Sequence, residues 1–220
     1  MAAPIKVAVA GAGGRMGQAV CRAVEGADDM ELVGRADPEL GTALPDVLTG
    51  ADVLVDFSTP DSALDNARTA AAAGVDVVIG TTGFDTGELA SIEGANVFAA
   101  PNFAIGAVLM MRFAQEAAGS FPAAEIVELH HENKVDSPSG TAALTAQRMA
   151  AGLGSEPPIH SIRLPGVVAS QEVVLGGPGE TLTLRHDTVD RDCFMPGVLL
   201  AVRRVSGLES SPVIGLENLL

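Results

Sequence analysis

Ile5-Lys6-Val7-Ala8-Val9-Ala10, running directly into Gly11-Ala12-Gly13-Gly14-Arg15-Met16-Gly17, decides the fold. A β-branched apolar run that stops at glycine reads as a buried parallel strand, and helical spacing takes over at Met16–Val24. The glycines at 11, 13 or 14, and 17 approximate the fingerprint of a dinucleotide-binding turn. Such a turn needs a tight bend, a backbone that can approach a pyrophosphate, and close helix–strand packing. The helix N-terminus offers phosphates unpaired N–H groups and partial positive charge, so Gly11, Ala12, Gly13, Gly14, Arg15 and Met16 form the candidate cofactor turn. Asp37 closes the next strand-like run about 20 residues on, where a carboxylate accepts from ribose hydroxyls. Asp37 disfavours a 2′-phosphate and Pro38 adds no charge to bind one, while Arg35 lies close enough to blur the preference. The expectation is NADH, with NADPH as the alternative.

The same texture continues on either side. Strand-like runs at Glu31–Ala36, Val53–Phe57, Val75–Ile79 and Asn96–Ala99 alternate with helix-like runs at Leu44–Leu48, Ser62–Ala73 and Thr86–Ile92. That alternation predicts βαβ units with right-handed crossovers, an α/β fold with a Rossmann-type doubly wound parallel sheet. Gly80-Thr81-Thr82-Gly83 and Ala100-Pro101-Asn102-Phe103 follow the fourth and fifth strands, and ligands of open parallel sheets sit outside those carboxyl ends. Phe57, taken singly, reads as core. Beyond Asn102 the spacing predicts a long helix (Ala104–Gly119), a strand (Glu125–His131) and a helix (Thr141–Leu153). Two alternating runs follow, Gln171–Leu175 and Thr181–Arg185, separated by Gly176-Gly177-Pro178-Gly179. These predict a second, mixed α+β domain over 104–193. The first domain covers 1–103 and is completed by 194–220, with a last helix at Val198–Val205.

Composition narrows the partners. The chain has 220 residues, and its 28 acidic against 13 basic side chains give a net charge of −15. Such a charge repels nucleic acid and anionic lipid, and tryptophan and tyrosine, the usual stacking platforms, are absent. No apolar run approaches the ~18 residues of a membrane span, and a strand begins too early for a secretory signal. The expected location is the cytoplasm. Cys21 and Cys193 have neither metal-ligand spacing nor the makings of a disulfide framework, and no metal site is expected. Lysine occurs only at Lys6 and Lys134. An acidic, lysine-poor surface is what a protein working in concentrated salt carries, because screening removes its self-repulsion.

The densest chemistry is Glu128-Leu129-His130-His131-Glu132-Asn133-Lys134-Val135-Asp136-Ser137-Pro138-Ser139-Gly140-Thr141. An ammonium can lose its proton and a guanidinium in effect cannot, so Lys134 is a candidate proton donor. The plainer reading is a solvated loop in which Glu132 and Asp136 pair with Lys134. His130 and His131 can share a site only if their strand is already ending, since neighbours on a strand point to opposite faces. Ser139-Gly140-Thr141 opens a helix and offers a second anion cradle of backbone donors and hydroxyls; the plainer reading of Asp136 to Thr141 is a helix cap. A basic cluster beside such a cradle describes a pocket for a small di-anionic substrate.

The run ELHHENKVDSPSGTA resembles the signature of the dihydrodipicolinate (4-hydroxy-tetrahydrodipicolinate) reductase family of lysine and diaminopimelate synthesis. GAGGRMG, GTTG and APNF match that family's cofactor loops in order, and RLPG at 163–166, GPGE at 177–180 and LRH at 184–186 extend the likeness along the chain. The resemblance implies an NAD(P)H-binding Rossmann domain and a domain that binds substrate and builds a homotetramer. It implies that Gly11 to Met16, Asp37, Gly80, Thr81, Thr82, Ala100, Pro101, Asn102 and Phe103 hold cofactor. His130 stands at the catalytic histidine, His131 at its substrate-binding neighbour and Lys134 at the proton-donor lysine, with Gly140 and Thr141 on a substrate carboxylate. The implied reaction removes a 4-hydroxyl as water and delivers hydride to ring C4. The chain is shorter than many members, and Ala169 and Gln171 stand where bacterial members often have glycine and histidine. Another Rossmann reductase of a carboxylated substrate, or a non-catalytic NAD(P)-binding protein, are the alternatives; the His130-His131-Lys134 spacing and the second cradle separate them.

Overall fold

Val7–Ala10 are fully or almost fully buried, as a strand covered on both faces must be. In the computed structural model, which describes residues 3–220, they belong to β1 (Ile5–Ala10). The chain continues through α1 (Arg15–Glu25), β2 (Met30–Ala36), a short α2 (Leu44–Val47), β3 (Val53–Asp56), α3 (Pro60–Ala72), β4 (Asp76–Ile79) and β5 (Val97–Ala99). Next come α4 (Ile105–Ala118), β6 (Ala123–His130), α5 (Gly140–Leu153), β7 (Ile159–Arg163), β8 (Ala169–Gly177) and β9 (Glu180–Thr188). The described chain closes with α6 (Met195–Val205) and β10 (Val213–Ile214). Two units result: one runs to Phe103 and is completed by Phe194–Leu220, the other is Ala104–Cys193.

The first unit holds a parallel sheet in the order β10-β5-β4-β3-β1-β2. From β1 the chain builds outward to β2, then returns past β1 to β3, β4 and β5, so the β1/β3 gap is the topological switch point where such sheets bind ligands. Ala63, Ala67 and Ala70 of α3 lie against Leu54, Val77 and Ile79 in one core cluster. Side chains this small let a helix sit close on a sheet. α6 packs against α1 and β4, and Arg203 grips Asp29 through two hydrogen bonds of 2.7 and 2.9 Å. A Cβ on Gly197 would strike the carbonyl of Phe103, so the start of α6 is seated directly on the exit from β5.

The second unit holds a mixed sheet, order β7-β6-β8-β9, with β7 parallel to β6 and the rest antiparallel. Ile126, Val173 and Leu175 cluster with Ala114 and Ala118 of α4 and Ala142, Ala146 and Met149 of α5. Burial in β6 alternates, with Ala124, Ile126 and Glu128 turned inward.

β10 is a strand too short to be read from sequence, and the second unit's strands differ from expectation in three further ways. β7 is a strand that Ile159-His160-Ser161-Ile162-Arg163 does not announce, because it lacks a regular apolar alternation. The hairpin strands β8 and β9 run further than their alternating cores and meet at Pro178-Gly179, with Gly179 at φ +80. β6 ends at His130, so His131 already belongs to the loop and is released from strand alternation.

Candidate active site

At the switch point of the first unit lies a cavity of about 800 Å³. Ala10 and Gly11 line it from the end of β1, Asp37 from the end of β2, and Phe57 and Ser58 from the end of β3. Gly11 has φ +72, and a Cβ there would strike the Phe57 carbonyl. A Cβ on Gly17 would strike the Gly11 carbonyl, so this glycine lets α1 close down on the turn. Gly14 is the N-cap of α1 and no side chain caps the helix, which leaves first-turn N–H groups for an anion; Arg15 and Met16 open the helix itself. Ala12 is buried beneath the turn. The Asp37 carboxylate accepts from the Gly13 N–H at 2.9 Å and the Glu39 N–H at 2.8 Å. Each oxygen keeps a lone pair for a further donor, such as a ribose hydroxyl. A glycine cradle, an uncapped helix start and an acceptor at the neighbouring strand end fit the pyrophosphate and ribose of a dinucleotide.

The loops after β4 and β5 sit on neighbouring strands of the same sheet edge. Gly80 packs so closely on the Phe57 ring that a Cβ would collide with it, and Phe57 lies 5.8 Å from the Phe103 ring, centroid to centroid. Phe57 is therefore half-buried at the cavity wall rather than in the core proper. Thr81 donates its hydroxyl to Asp56 Oδ1 at 2.7 Å, Thr82 and Pro101 are exposed, and Ala100 and Phe103 are buried, with Asn102 between. Asp56, which no sequence argument singled out, has no exposed surface. Its carboxylate accepts from the Ser58 N–H (3.0 Å), the Ser58 hydroxyl (2.8 Å), Thr81 and the Asn66 amide (2.8 Å). It pins the end of β3, α3 and the loop after β4 together.

In the second unit the chemistry gathers around Glu128, also fully buried. Glu128 and His130 lie two apart on β6, hence on one face, and His130 pairs in register with Arg163 of β7. Arg163 forks onto the carboxylate, Nη1 to Oε2 at 3.0 Å and Nη2 to Oε1 at 2.9 Å. His130 Nδ1 makes a short hydrogen bond to Oε2, and the Ser139 N–H approaches Oε1 at 3.3 Å. Burial alone raises the Glu128 carboxyl, but the hydrogen bonds from Arg163, Ser161 and His130 outweigh it and hold the group below the usual carboxylate range. Burial lowers His130, and the opposing pull of Glu128 does not restore it, so the site favours the neutral imidazole. An ionised carboxylate only accepts, so Nδ1 carries the proton and Nε2 is left as an acceptor.

Lys134 follows in the loop, its side chain 22% exposed and its Nζ donating to Asp136 Oδ1 at 2.8 Å. The plainer loop pairing with Asp136 is thus present, and it holds the ammonium while leaving two of its three donors. His131 is half-buried, and its carbonyl accepts the Lys134 N–H at 3.1 Å. α5 begins at Gly140, with a Cβ there meeting nothing within 4 Å, and Thr141 follows at its first turn. Ser139 is a correction to the cradle: it is buried and its hydroxyl caps α5 by accepting from the Ala142 N–H at 3.2 Å. Its chemistry is turned inward, and the open space beside the helix start lies at Gly140. His130, Lys134, Gly140 and Thr141 are thereby brought to one end of one unit. Glu128 was quoted in the sequence without a role; its i, i+2 spacing from His130 was the available signal. Arg163 gave no signal, since only strand pairing brings it to the site. Among the described residues no cluster of His, Cys, Asp and Glu could hold a metal ion, and no helix is long and apolar enough to cross a membrane.

Residues 5–103 match the family described as "Dihydrodipicolinate reductase, N-terminus" and residues 106–220 the one described as "Dihydrodipicolinate reductase, C-terminus". The 4-hydroxy-tetrahydrodipicolinate reductase of Cutibacterium acnes is 49% identical over 248 aligned positions, covering 98% of each chain. That of Thermobifida fusca is 49% identical over 246 positions, covering 98% of this chain and 99% of its own. Both alignments are longer than this chain's 220 residues, as a shortened relative requires. The solved structure of a dipicolinate-bound dihydrodipicolinate reductase from Paenisporosarcina sp. TG-14 superimposes with a TM-score of 0.89 at 36% identity, covering 99% of this chain and 100% of that one. Matched through both of its units and at nearly half of its positions, the chain belongs to the dihydrodipicolinate reductase family.

Proposed function

We propose that this chain is a 4-hydroxy-tetrahydrodipicolinate reductase, reducing its substrate with NAD(P)H and releasing water to give tetrahydrodipicolinate, in lysine synthesis through diaminopimelate. The observation that carries the reading is the second unit's cluster, in which the Lys134 ammonium tethered by Asp136, the His130 imidazole held by Glu128 and the start of α5 at Gly140 come to one end of the unit. Dipicolinate, bound in the solved relative, is a ring with two carboxylates, the chemistry that Gly140 and Thr141 at the helix start and the basic groups would grip. His131 adds a third contact to the substrate.

Gly11 to Met16, Asp37, Gly80 to Thr82 and Ala100 to Phe103 would hold a nicotinamide cofactor, which would supply hydride to ring C4 once the 4-hydroxyl and a hydrogen of the neighbouring ring carbon had left together as water. Negative charge then spreads toward the ring nitrogen and needs a placed proton. Lys134 gives that proton from Nζ, steadied by Asp136, and regains it from solvent. His130, with its Nδ1 proton committed to Glu128, serves as an acceptor at Nε2 toward the substrate's hydroxyl.

NADH is the favoured cofactor. Asp37 and the exposed Glu39 stand where a 2′-phosphate would need cations, and Arg35 is engaged by Glu25. The first unit is then the dinucleotide-binding domain and 104–193 the substrate and oligomerisation domain. A homotetramer is supported by the second unit's sheet, which carries α4 and α5 on one face only. We place the protein in a salt-rich cytoplasm on its charge of −15. The test is oxidation of NADH and NADPH with enzymatically generated substrate, in low and high KCl, on protein whose mass is measured by light scattering. Turnover with NADH favoured, improving with salt, is expected. No turnover with either cofactor overturns the function, and NADPH used equally well overturns the preference.

A further inference from the structure

We propose that Arg163 and Glu128 are positioning residues for this reaction: their buried ion pair fixes the tautomer of His130 and, through the Asp136 backbone, the place of Lys134. The chemistry rests on the function proposed above; the geometry does not.

A buried ion pair is weak evidence for stability, because desolvation of both charges offsets their attraction. Arg163 is not optimised for stability either, since its Nε is buried without a hydrogen-bond partner. Its two terminal nitrogens, by contrast, are fully engaged. Nη1 donates to Glu128 Oε2 and to the Ile162 carbonyl (2.9 Å); Nη2 donates to Glu128 Oε1 and to the Asp136 carbonyl at 2.8 Å. One planar group therefore joins β7, the carboxylate of β6 and the backbone of the loop after it. Asp136 is held by that bond at its carbonyl, and its own side chain holds Lys134 Nζ. On the other side, Glu128 holds His130 Nδ1. The proposed proton donor and the proposed acceptor thus hang from a single fork and carboxylate.

The groups that face His130 are Glu128 on its own strand, Arg163 on β7, and Lys134 and Asp136 in the following loop. A lysine at 163 would retain the charge but not the fork, since an ammonium cannot make two parallel bonds to a carboxylate while reaching a third acceptor in the same plane. A glutamine at 128 would retain the shape but present an amide donor where two acceptor oxygens are needed.

Arg163→Lys and Glu128→Gln test the idea with two readouts. The first is the ¹⁵N spectrum of the imidazoles, with His130 assigned by a His130→Asn variant. The second is kcat against the KM for NADH. Wild type should show His130 protonated at Nδ1, and Glu128→Gln should move it toward the Nε2–H form. Arg163→Lys should lower kcat by ~100-fold, the effect of misplacing a reacting group by about 1 Å, and leave the KM for NADH unchanged. Should either variant fail to fold, Glu128→Gln combined with Arg163→Gln leaves no unpaired charge and carries the same two expectations. A wild-type His130 protonated at Nε2, or folded variants that keep the wild-type kcat, would overturn the proposal. If the wild type does not reduce 4-hydroxy-tetrahydrodipicolinate at all, the functional reading falls, and the tautomer spectrum still decides this one.

Discussion

Asp56 and Glu128 are both carboxylates with no exposed surface near the end of a strand, and the protein treats them in opposite ways. Asp56 is surrounded by neutral donors only: a backbone N–H, two hydroxyls and a side-chain amide. Glu128 is met by a guanidinium and an imidazole as well as by the neutral donors of Ser161 and the Ser139 backbone N–H. Neutral donors fix position and leave the local charge as it is, which suits a loop that only has to hold a ligand. A cation and a titratable ring cancel the charge and couple the carboxylate to proton position, which suits a site that moves protons. On the proposed function, the difference matches a binding role for the first unit and proton chemistry in the second.

The largest effect should come from removing the proton donor. Lys134→Ala is expected to lower kcat by ~10²–10⁴-fold, the range for general acid catalysis, while NADH affinity, measured by nicotinamide fluorescence, stays the same. The absence of tryptophan and tyrosine keeps the background of that measurement low. A variant that turns over normally would remove proton transfer from the second unit and dissolve the contrast.

An intermediate effect should come from the neutral hub. In Asp56→Asn one oxygen becomes an amide donor that must face the Asn66 amide or the Thr81 and Ser58 hydroxyl pair, so at least one buried bond is lost. The expected cost is about 1–3 kcal/mol of stability, the penalty of an unsatisfied buried polar group. The KM for NADH should rise several-fold as the loop after β4 loosens, with kcat at saturating NADH little changed. Chemical denaturation and steady-state kinetics read the two separately. A fall in kcat with an unchanged KM would mean that Asp56, too, serves the chemical step.

These two hubs also show where sequence reading reaches its limit. β1 and its glycine turn are legible because burial on both faces and a backbone constraint each leave a local mark, Val7–Ala10 and Gly11. The α/β alternation through β5 is legible for the same reason. Asp56 is not, since its donors come from positions 58, 66 and 81 and only the fold collects them. Arg163 needs the β6–β7 register, and β7 itself has no periodicity of its own to reveal it. β10 has only two residues and exists by pairing with β5. Ser139 shows one residue type open to two readings: a hydroxyl at a helix start can be a ligand donor or a cap, and here the geometry spends it on the cap.

The smallest expected effect lies in the acid limb of stability, where the charged hub should act in two steps. Burial depresses His130 in the folded state, so its neutral form contributes stability above the ordinary histidine value of ~6.5, and this is lost as pH falls through the lower folded value. Glu128, held below the usual range by its donors despite burial, contributes stability above the ordinary value of ~4.3, lost in turn at lower pH. Thermal unfolding followed from pH 7 downward should therefore weaken first between neutrality and mild acid, then again below the ordinary glutamate value. His186, also depressed by burial, contributes stability lost in the same window, so His130→Asn should diminish the first step without removing it and keep the second. Asp136 and Asp187, also depressed by their partners Lys134 and Arg185, are largely exposed and should add little to the second step. If the first step is undiminished in His130→Asn, His186 alone accounts for it, and the neutral tautomer assigned to His130 would have to be given up.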